Sequence, residues 1–237
     1  MNLKIKTQIK TIIESSNSKW NLLDTKETYL LAISGGKDSL ALLTILSDYL
    51  DKTLCVHVSL DSSSDLSFIS FVEQYSPIDV IKTSIMQEAS NSPKNPCFIC
   101  SRRRNQAIFE YAYSKGIRKV IFAHNRDDVS ETLLMNMIYS RKISTMLPKQ
   151  DLFAGKIQVI RPLYEVPEIL LANYAKDFPA VKKSCIYDGH TKRQYIKNLI
   201  KQISSDHPHI KVEDNLYNSI LNLDLKHLPN PILVKDL

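Results

Sequence analysis

With 237 residues, 43% of them hydrophobic and 24% charged, the chain has the balance of a globular protein with a sizeable core, which excludes a peptide-sized binding module. No apolar run approaches the roughly 20 residues a bilayer span needs, and the opening MNLKIKTQIK lacks an apolar signal core, so the expectation is a cytoplasmic protein without a membrane partner. A net charge of +6 leans toward a polyanionic partner.

Isoleucines at 5, 9, 12 and 13 have helical spacing and predict an amphipathic lead-in helix over 3–16, within an N-terminal segment 1–27. Strand-like runs follow at 28–33, 53–60, 78–84, 118–124 and 157–161. Between and after them, helical patterns fall near 38–50, 66–75, 98–115, 126–140, 167–177 and 191–204. This alternation predicts an α/β fold, a parallel sheet with helices on both faces, forming a main domain over 28–205. The stretches 86–97 and 141–156 read as long loops flanking the site. Beyond His207 an amphipathic NLYNSILNLDL predicts a small helical C-terminal extension, 206–237, ending in a strap.

Two of the only five glycines stand side by side in YLLAISGGKDSLALL, Tyr29 to Leu43. A buried strand precedes them and a helix follows, and glycines in such a turn let an anion reach free N–H groups at the positive end of the helix dipole. The loop Ser34–Ser39 is therefore a candidate phosphate seat. It is not a Walker A sequence, and no G-x-G-x-x-G is present. The segment AHNRDD at 123–128 falls at another strand end, where ligands of parallel sheets bind, so the two share one crevice. Consecutive Asp127 and Asp128 cannot both face one way, so one points inward; alternatively Asp127 caps the helix over 128–140. Asp38 is a second candidate for Mg²⁺ held through phosphates.

Of four cysteines, Cys55 lies in a strand-like run and reads as core. Cys97 and Cys100 are spaced to ligate one metal centre, and Cys185 can join them to give three thiolates and an open position, suiting zinc or an iron–sulfur cluster; Asp188 or His190 are alternative third ligands. Arg102, Arg103 and Arg104 follow the pair. Arg104, four residues after Cys100 and on its helix face, is the one expected to reach the site, while Tyr111 and Tyr113 read as packing residues.

SGGKDS carries the Ser-Gly-Gly-x-Asp-Ser signature of the PP-loop, or adenine-nucleotide α-hydrolase-like, superfamily. The stretch CFICSRRRNQAIFEYAYSKGIRKVIFAHNRDDVSETLLMNMIYSRK, Cys97 to Lys142, resembles the central region of the TtcA-type tRNA 2-thiocytidine synthetases. VIRPLYEV at 159–166 and KRQYIKNLI at 192–200 continue the similarity, which spans most of 29–205. Those proteins usually carry a second C-x-x-C where this chain has only Cys185, in KKSCIYDGHTKRQ. The resemblance implies a PP-loop three-layer fold and an ATP site formed by Ala32, Ser34, Gly35, Gly36, Lys37, Asp38, Ser39, His124 and Asp127. It implies Mg²⁺, a [4Fe-4S] cluster on Cys97, Cys100 and Cys185, and catalytic roles for Asp38, Asp128, Arg104, Cys97 and Cys100, with Glu131 and Thr132 continuing the site helix.

The implied reaction adenylates the C2 oxygen of a tRNA base, cytidine 32 of the anticodon loop, and displaces AMP with sulfur. Arg102, Arg103, Arg141, Lys142, Lys182 and Lys183 are the implied RNA surface. Expected partners are tRNA, a sulfur donor such as a cysteine desulfurase, and a second copy in a homodimer. A 2-thiouridine synthetase is the nearest alternative, although such relatives usually carry further zinc-binding cysteine pairs; lysidine synthetase shares the loop but needs no three-cysteine site. From another class, a non-catalytic RNA-binding protein that senses nucleotide or an iron–sulfur cluster shares these features, and tRNA-dependent AMP formation separates it from the enzymes.

Overall fold

The computed structural model describes the chain except residues 1, 51, 61–65, 94, 182–190, 225 and 228–237. In chain order its elements are α1 (Leu3–Trp20), β1 (Tyr29–Ala32), α2 (Lys37–Leu46), β2 (Thr53–Ser59), α3 (Ile69–Val72), β3 (Ile78–Lys82), α4 (Ile85–Ser90) and α5 (Pro96–Ser114). They continue with β4 (Lys119–Ile121), α6 (Arg126–Ser140), β5 (Lys149–Leu152), β6 (Ile157–Ile160), α7 (Glu168–Tyr174), α8 (Lys192–Asp206) and α9 (Val212–Leu221).

The strands form one sheet in the order β3-β2-β1-β4-β6-β5, parallel except for the antiparallel edge strand β5. Strand order reverses between β1 and β4, which opens a crevice at their carboxyl ends. Successive side chains of a strand point to opposite faces, so β1 feeds two cores. Tyr29 and Leu31 join Ile9 and Ile13 of α1, Leu40 and Leu43 of α2 and Leu171 of α7 on one face. Leu30 and Ala32 join Val56, Val58, Ile108 and Ala112 beneath α4 and α5 on the other. The helices of α6, α8 and α9 make smaller clusters at the end of the chain, and Arg126 is paired with Asp214 at 2.6 Å, tying α9 to α6.

Several expectations need correction. The loop expected over 141–156 contains β5, whose KQDL has no apolar pattern to announce it; pairing with β6 from Lys149↔Ile160 to Leu152↔Ile157 makes it a strand. The loop expected over 86–97 is mostly helix, because α4 runs to Ser90 and α5 begins at Pro96. Asn95 caps α5 by accepting from Phe98 N at 3.2 Å, and proline at the first helical position loses no needed donor. The lead-in helix extends to Trp20, closing where Asn21 turns left-handed and Asn17 accepts from the N–H groups of Leu22 and Leu23. Tyr113 does not pack, being 67% exposed, whereas the Tyr111 hydroxyl is bound to Asp79. Cys55 is fully buried, and burial pushes its thiol up to about 11. Among the described residues no helix is long and apolar enough to cross a membrane.

Candidate active site

Two helix N-termini face the crevice, and they are finished differently. α2 opens on Gly36, which has no side chain to cap it; the loop is braced instead by Ser39 Oγ, which donates to Gly36 O at 2.9 Å and accepts from Ser34 N at 3.2 Å. Its dipole end is thus left for an anion. α6 is closed by a capping box: Asn125 Oδ1 accepts from Asp127 N (2.9 Å) and Asp128 N (3.1 Å), and Asp128 Oδ2 accepts from Asn125 N (3.0 Å). Asn125, not Asp127, is therefore the cap. The Asp127 carboxylate instead accepts from Glu168 N at 2.7 Å, at the start of α7.

A polar network joins these ends. Lys37 Nζ donates to Asp38 Oδ1 (2.9 Å) and Glu168 Oε1 (2.8 Å), Lys197 Nζ to Glu168 Oε2 (2.6 Å), and Asn125 Nδ2 to Asp38 Oδ2 (3.3 Å). Arg193 Nη1 donates to Asp128 Oδ1 at 2.6 Å and lies 3.4 Å from Glu131 Oε2. Burial raises the carboxyl of Asp38 against the pull of Lys37. For Glu168 burial is outweighed by hydrogen bonds from Lys197 and Lys37, which hold it down at about 2. Glu131 goes the other way: burial lifts it to about 7, offset only in part by Arg193. His124 is held neutral, at about 4, by burial and by the charges of Arg161, Arg193 and Arg104, which outweigh Asp128.

Glu131 gives a signed prediction. Between its ordinary 4.5 and about 7 the folded state keeps a proton that the unfolded chain has released, so the stability contribution falls as pH rises through that window. Glu131→Gln removes the effect. Its stability relative to the parent, read from urea midpoints, is expected to rise by up to about 3 kcal/mol between pH 4.5 and 7. A difference that stays flat over the window would contradict this.

Of the residues expected in the site, Ala32, Ser34, Gly35, Gly36, Lys37, Asp38, Ser39, His124, Asp127 and Asp128 all stand on β1, β4 or the segments that follow them. Arg104 is half-buried on α5, close enough to act on His57 and His124, while Arg102 and Arg103 are exposed and Arg103 pairs with Glu88 at 3.2 Å. Arg141 and Lys142 are exposed at the end of α6, so this pair and the α5 pair occupy separate elements. Cys185, Lys182, Lys183, Asp188 and His190 lie outside the described residues. Sequence reasoning gave no role to Asn125, Arg161, Glu168, Arg193 or Lys197. Arg193 and Lys197 carried a usable signal, two cations four residues apart on one face of an amphipathic helix.

Cys97 and Cys100 are half-buried on the first turns of α5, three residues apart and so on one face, and Cys100 packs against the cluster containing Ala32 and Val58. Two soft donors held at that spacing fit iron–sulfur ligation; the third thiolate expected from the sequence, Cys185, lies outside the described residues. Among the described residues no preassembled group of three or more His, Cys, Asp or Glu could hold a metal. Mg²⁺ needs none, since it takes one or two carboxylates plus phosphate oxygens; Asp38 and Asp128 stand at the crevice, each with both oxygens hydrogen-bonded within the protein.

These features define an α/β protein with a Ser-Gly-Gly turn and an uncapped helix N-terminus at the switch point of its sheet. A family model described as a PP-loop domain matches residues 1–202. The chain is 32% identical to tRNA-cytidine(32) 2-sulfurtransferase 2 of Francisella tularensis subsp. tularensis, over 99% of this chain and 98% of that one. It is 32% identical to tRNA-cytidine(32) 2-sulfurtransferase 1 of Francisella philomiragia, over 99% of this chain and 95% of the relative. The chain belongs to the PP-loop family and, within it, to the family of the tRNA-cytidine(32) 2-sulfurtransferases. Its fold is similar to that of the U34-tRNA thiolase NcsA from Methanococcus maripaludis with its [4Fe-4S] cluster, at a TM-score of 0.74 and 20% identity over 98% of this chain and 83% of the other.

Proposed function

We propose that the protein is an ATP-dependent tRNA thiolase that replaces the C2 oxygen of cytidine 32 with sulfur and releases AMP and pyrophosphate. The observation that carries this reading is the arrangement at the sheet's carboxyl end. The open N-terminus of α2, with Lys37 and Asp38, lies beneath one face, and Cys97, Cys100 and Arg104 come from α5 on the other. A nucleotide in the crevice between β1 and β4 has its pyrophosphate against the Ser34–Ser39 turn, and Asp38 with Asp128 supplies carboxylate oxygen to Mg²⁺. The splayed base then presents its C2 oxygen to the α-phosphate, and Arg104 offsets charge developing there. His124, neutral, adds no competing charge. A [4Fe-4S] cluster held by Cys97, Cys100 and Cys185 supplies, when bound, an iron position at which sulfur is delivered.

The partners are tRNA, met through Arg102, Arg103, Arg141, Lys142, Lys182 and Lys183, and a sulfur donor such as a cysteine desulfurase. The setting is cytoplasmic and the assembly a homodimer. The test is to supply anaerobically purified protein, assayed for iron and acid-labile sulfide, with unmodified tRNA, ATP and sulfide. Sulfur is expected in cytidine only when ATP and tRNA are both present. Cys100→Ser is expected to lose iron and thiolation together, and Asp38→Asn to lower AMP formation by at least about a hundredfold. AMP formation indifferent to tRNA would overturn the reading.

A further inference from the structure

The segment VIRPLYEV places Arg161 one residue past β6, beside the end of β4 that carries His124. Side chains alternate along these strands, and His124 stacks on Phe122 with ring centroids 5.6 Å apart, on the face that also carries α5. Two buried nitrogens there lack hydrogen-bond partners, and a third group has only a neutral one. His124 Nδ1 is buried without a hydrogen bond, and so is Arg161 Nε. Arg161 Nη1 donates to Leu147 O at 2.5 Å, a neutral acceptor. Among the described residues neither Arg161 nor Arg104 has a carboxylate within ion-pair distance, in contrast to Arg193, which has two.

Half-buried guanidinium groups are ordinarily matched by carboxylates, because an unanswered charge away from water is costly. Arg104 and Arg161 come from different elements, α5 and the end of β6, yet both lie near enough to His124 for their charges to oppose its protonation. An imidazole within reach of the charges of Arg161, Arg193 and Arg104 against one carboxylate, Asp128, which Arg193 already holds, with the Arg161 Nε–H left over, suits an anion with several acceptor oxygens. The carboxylates of the crevice do not fill this role: Asp38, Asp128 and Glu168 are already engaged by Lys37, Asn125, Arg193 and Lys197.

We propose that Arg161 and Arg104, together with His124, form a second phosphate seat, distinct from the Ser34–Ser39 turn and on the cysteine-bearing face of the sheet. One strand spacing, about 4.8 Å, separates β1 from β4 and another separates β4 from β6, so a phosphate at Arg161 is not the one held by the turn. Its source is either the α-phosphate of the nucleotide or a phosphodiester of the RNA. The proposal deepens the thiolase reading, which already sets Arg104 at the α-phosphate, and takes its RNA probe from it.

The experiment measures the affinities of AMP, of inorganic pyrophosphate and of an anticodon stem-loop RNA for the full chain and for Arg161→Gln and Arg161→Lys. Pyrophosphate affinity is expected to stay at the parental value in all three, which also reports an intact fold. One of the other ligands is expected to weaken about tenfold or more in Arg161→Gln and less in Arg161→Lys, which keeps the charge but not the planar fork. If AMP weakens alone, the seat takes the nucleotide's α-phosphate. If the RNA weakens alone, with a shallower salt dependence, it takes a phosphodiester. Unchanged affinity for both, or no binding of either to the parent, overturns the seat. Should Arg161→Gln not fold, Arg104→Gln tests the same seat from another element. A parent that binds these ligands but never thiolates tRNA would overturn the function and leave the seat standing.

Discussion

Gly35→Ala is expected to lower stability by about 2–3 kcal/mol and to remove pyrophosphate binding. Gly35 has φ +78°, a conformation in which an added Cβ is strained wherever it points. Here it also points at Phe68, whose Cε1 and Cδ1 would be 2.8 and 2.9 Å away. That ring has nowhere to retreat: it is fully buried and packs edge-on against His57 at 5.0 Å between centroids, and His57 is itself fixed by its Nδ1 contact to Ile33 O at 2.8 Å. Gly36 differs, with φ −80° and a nearest neighbour at 3.4 Å from the would-be Cβ, so Gly36→Ala is tolerated by the backbone. Combining Gly35→Ala with Phe68→Leu is expected to recover the packing share of the loss and not the backbone share. Denaturant midpoints and pyrophosphate titrations read both effects. A Gly35→Ala protein as stable as the Gly36→Ala protein would refute the account.

The second large effect belongs to Glu168, which joins Lys37 and Lys197 through its two oxygens. Its carboxyl falls from the ordinary 4.5 to about 2 in the folded state. A depressed carboxyl contributes stability in full above the unfolded value and loses it as pH falls through the folded one, here over the window from 4.5 to about 2. The size is up to about 3 kcal/mol. Glu168→Gln is accordingly expected to be less stable than the parent by about 2–3 kcal/mol at pH 7, with the difference shrinking toward pH 2. Glu131 destabilises over the adjoining window above 4.5, so the two carboxyls together place a stability maximum between their windows. Urea unfolding across pH separates them, and identical acid limbs in parent and Glu168→Gln would refute the assignment.

The centre of the sheet was legible because β1 is buried throughout and reads as the apolar run YLLA, while β2 keeps Leu54, Cys55, Val56 and Val58 within TLCVHVS. β5 was not, since KQDL is made a strand by its neighbour rather than by its own residues. The Ser-Gly-Gly turn announced itself because glycine is scarce in this chain, yet the sequence does not say that only the first of the pair needs its freedom. In the site, the residues that sit on the motifs were visible, and those that hold them were not. Glu168 and Lys197 reach the loop from 131 and 160 positions away in the chain, and no local period encodes such a meeting. Arg161 is the clearest case: that its Nε is buried without a hydrogen bond among the described residues follows from its surroundings and not from its neighbours in sequence.

The unequal finish of the two helices at the crevice makes the cleft a socket with one live terminal. Asn125 already occupies the amides of Asp127 and Asp128 in α6, so of the two dipole ends at the crevice the one left to attract charge is that of α2.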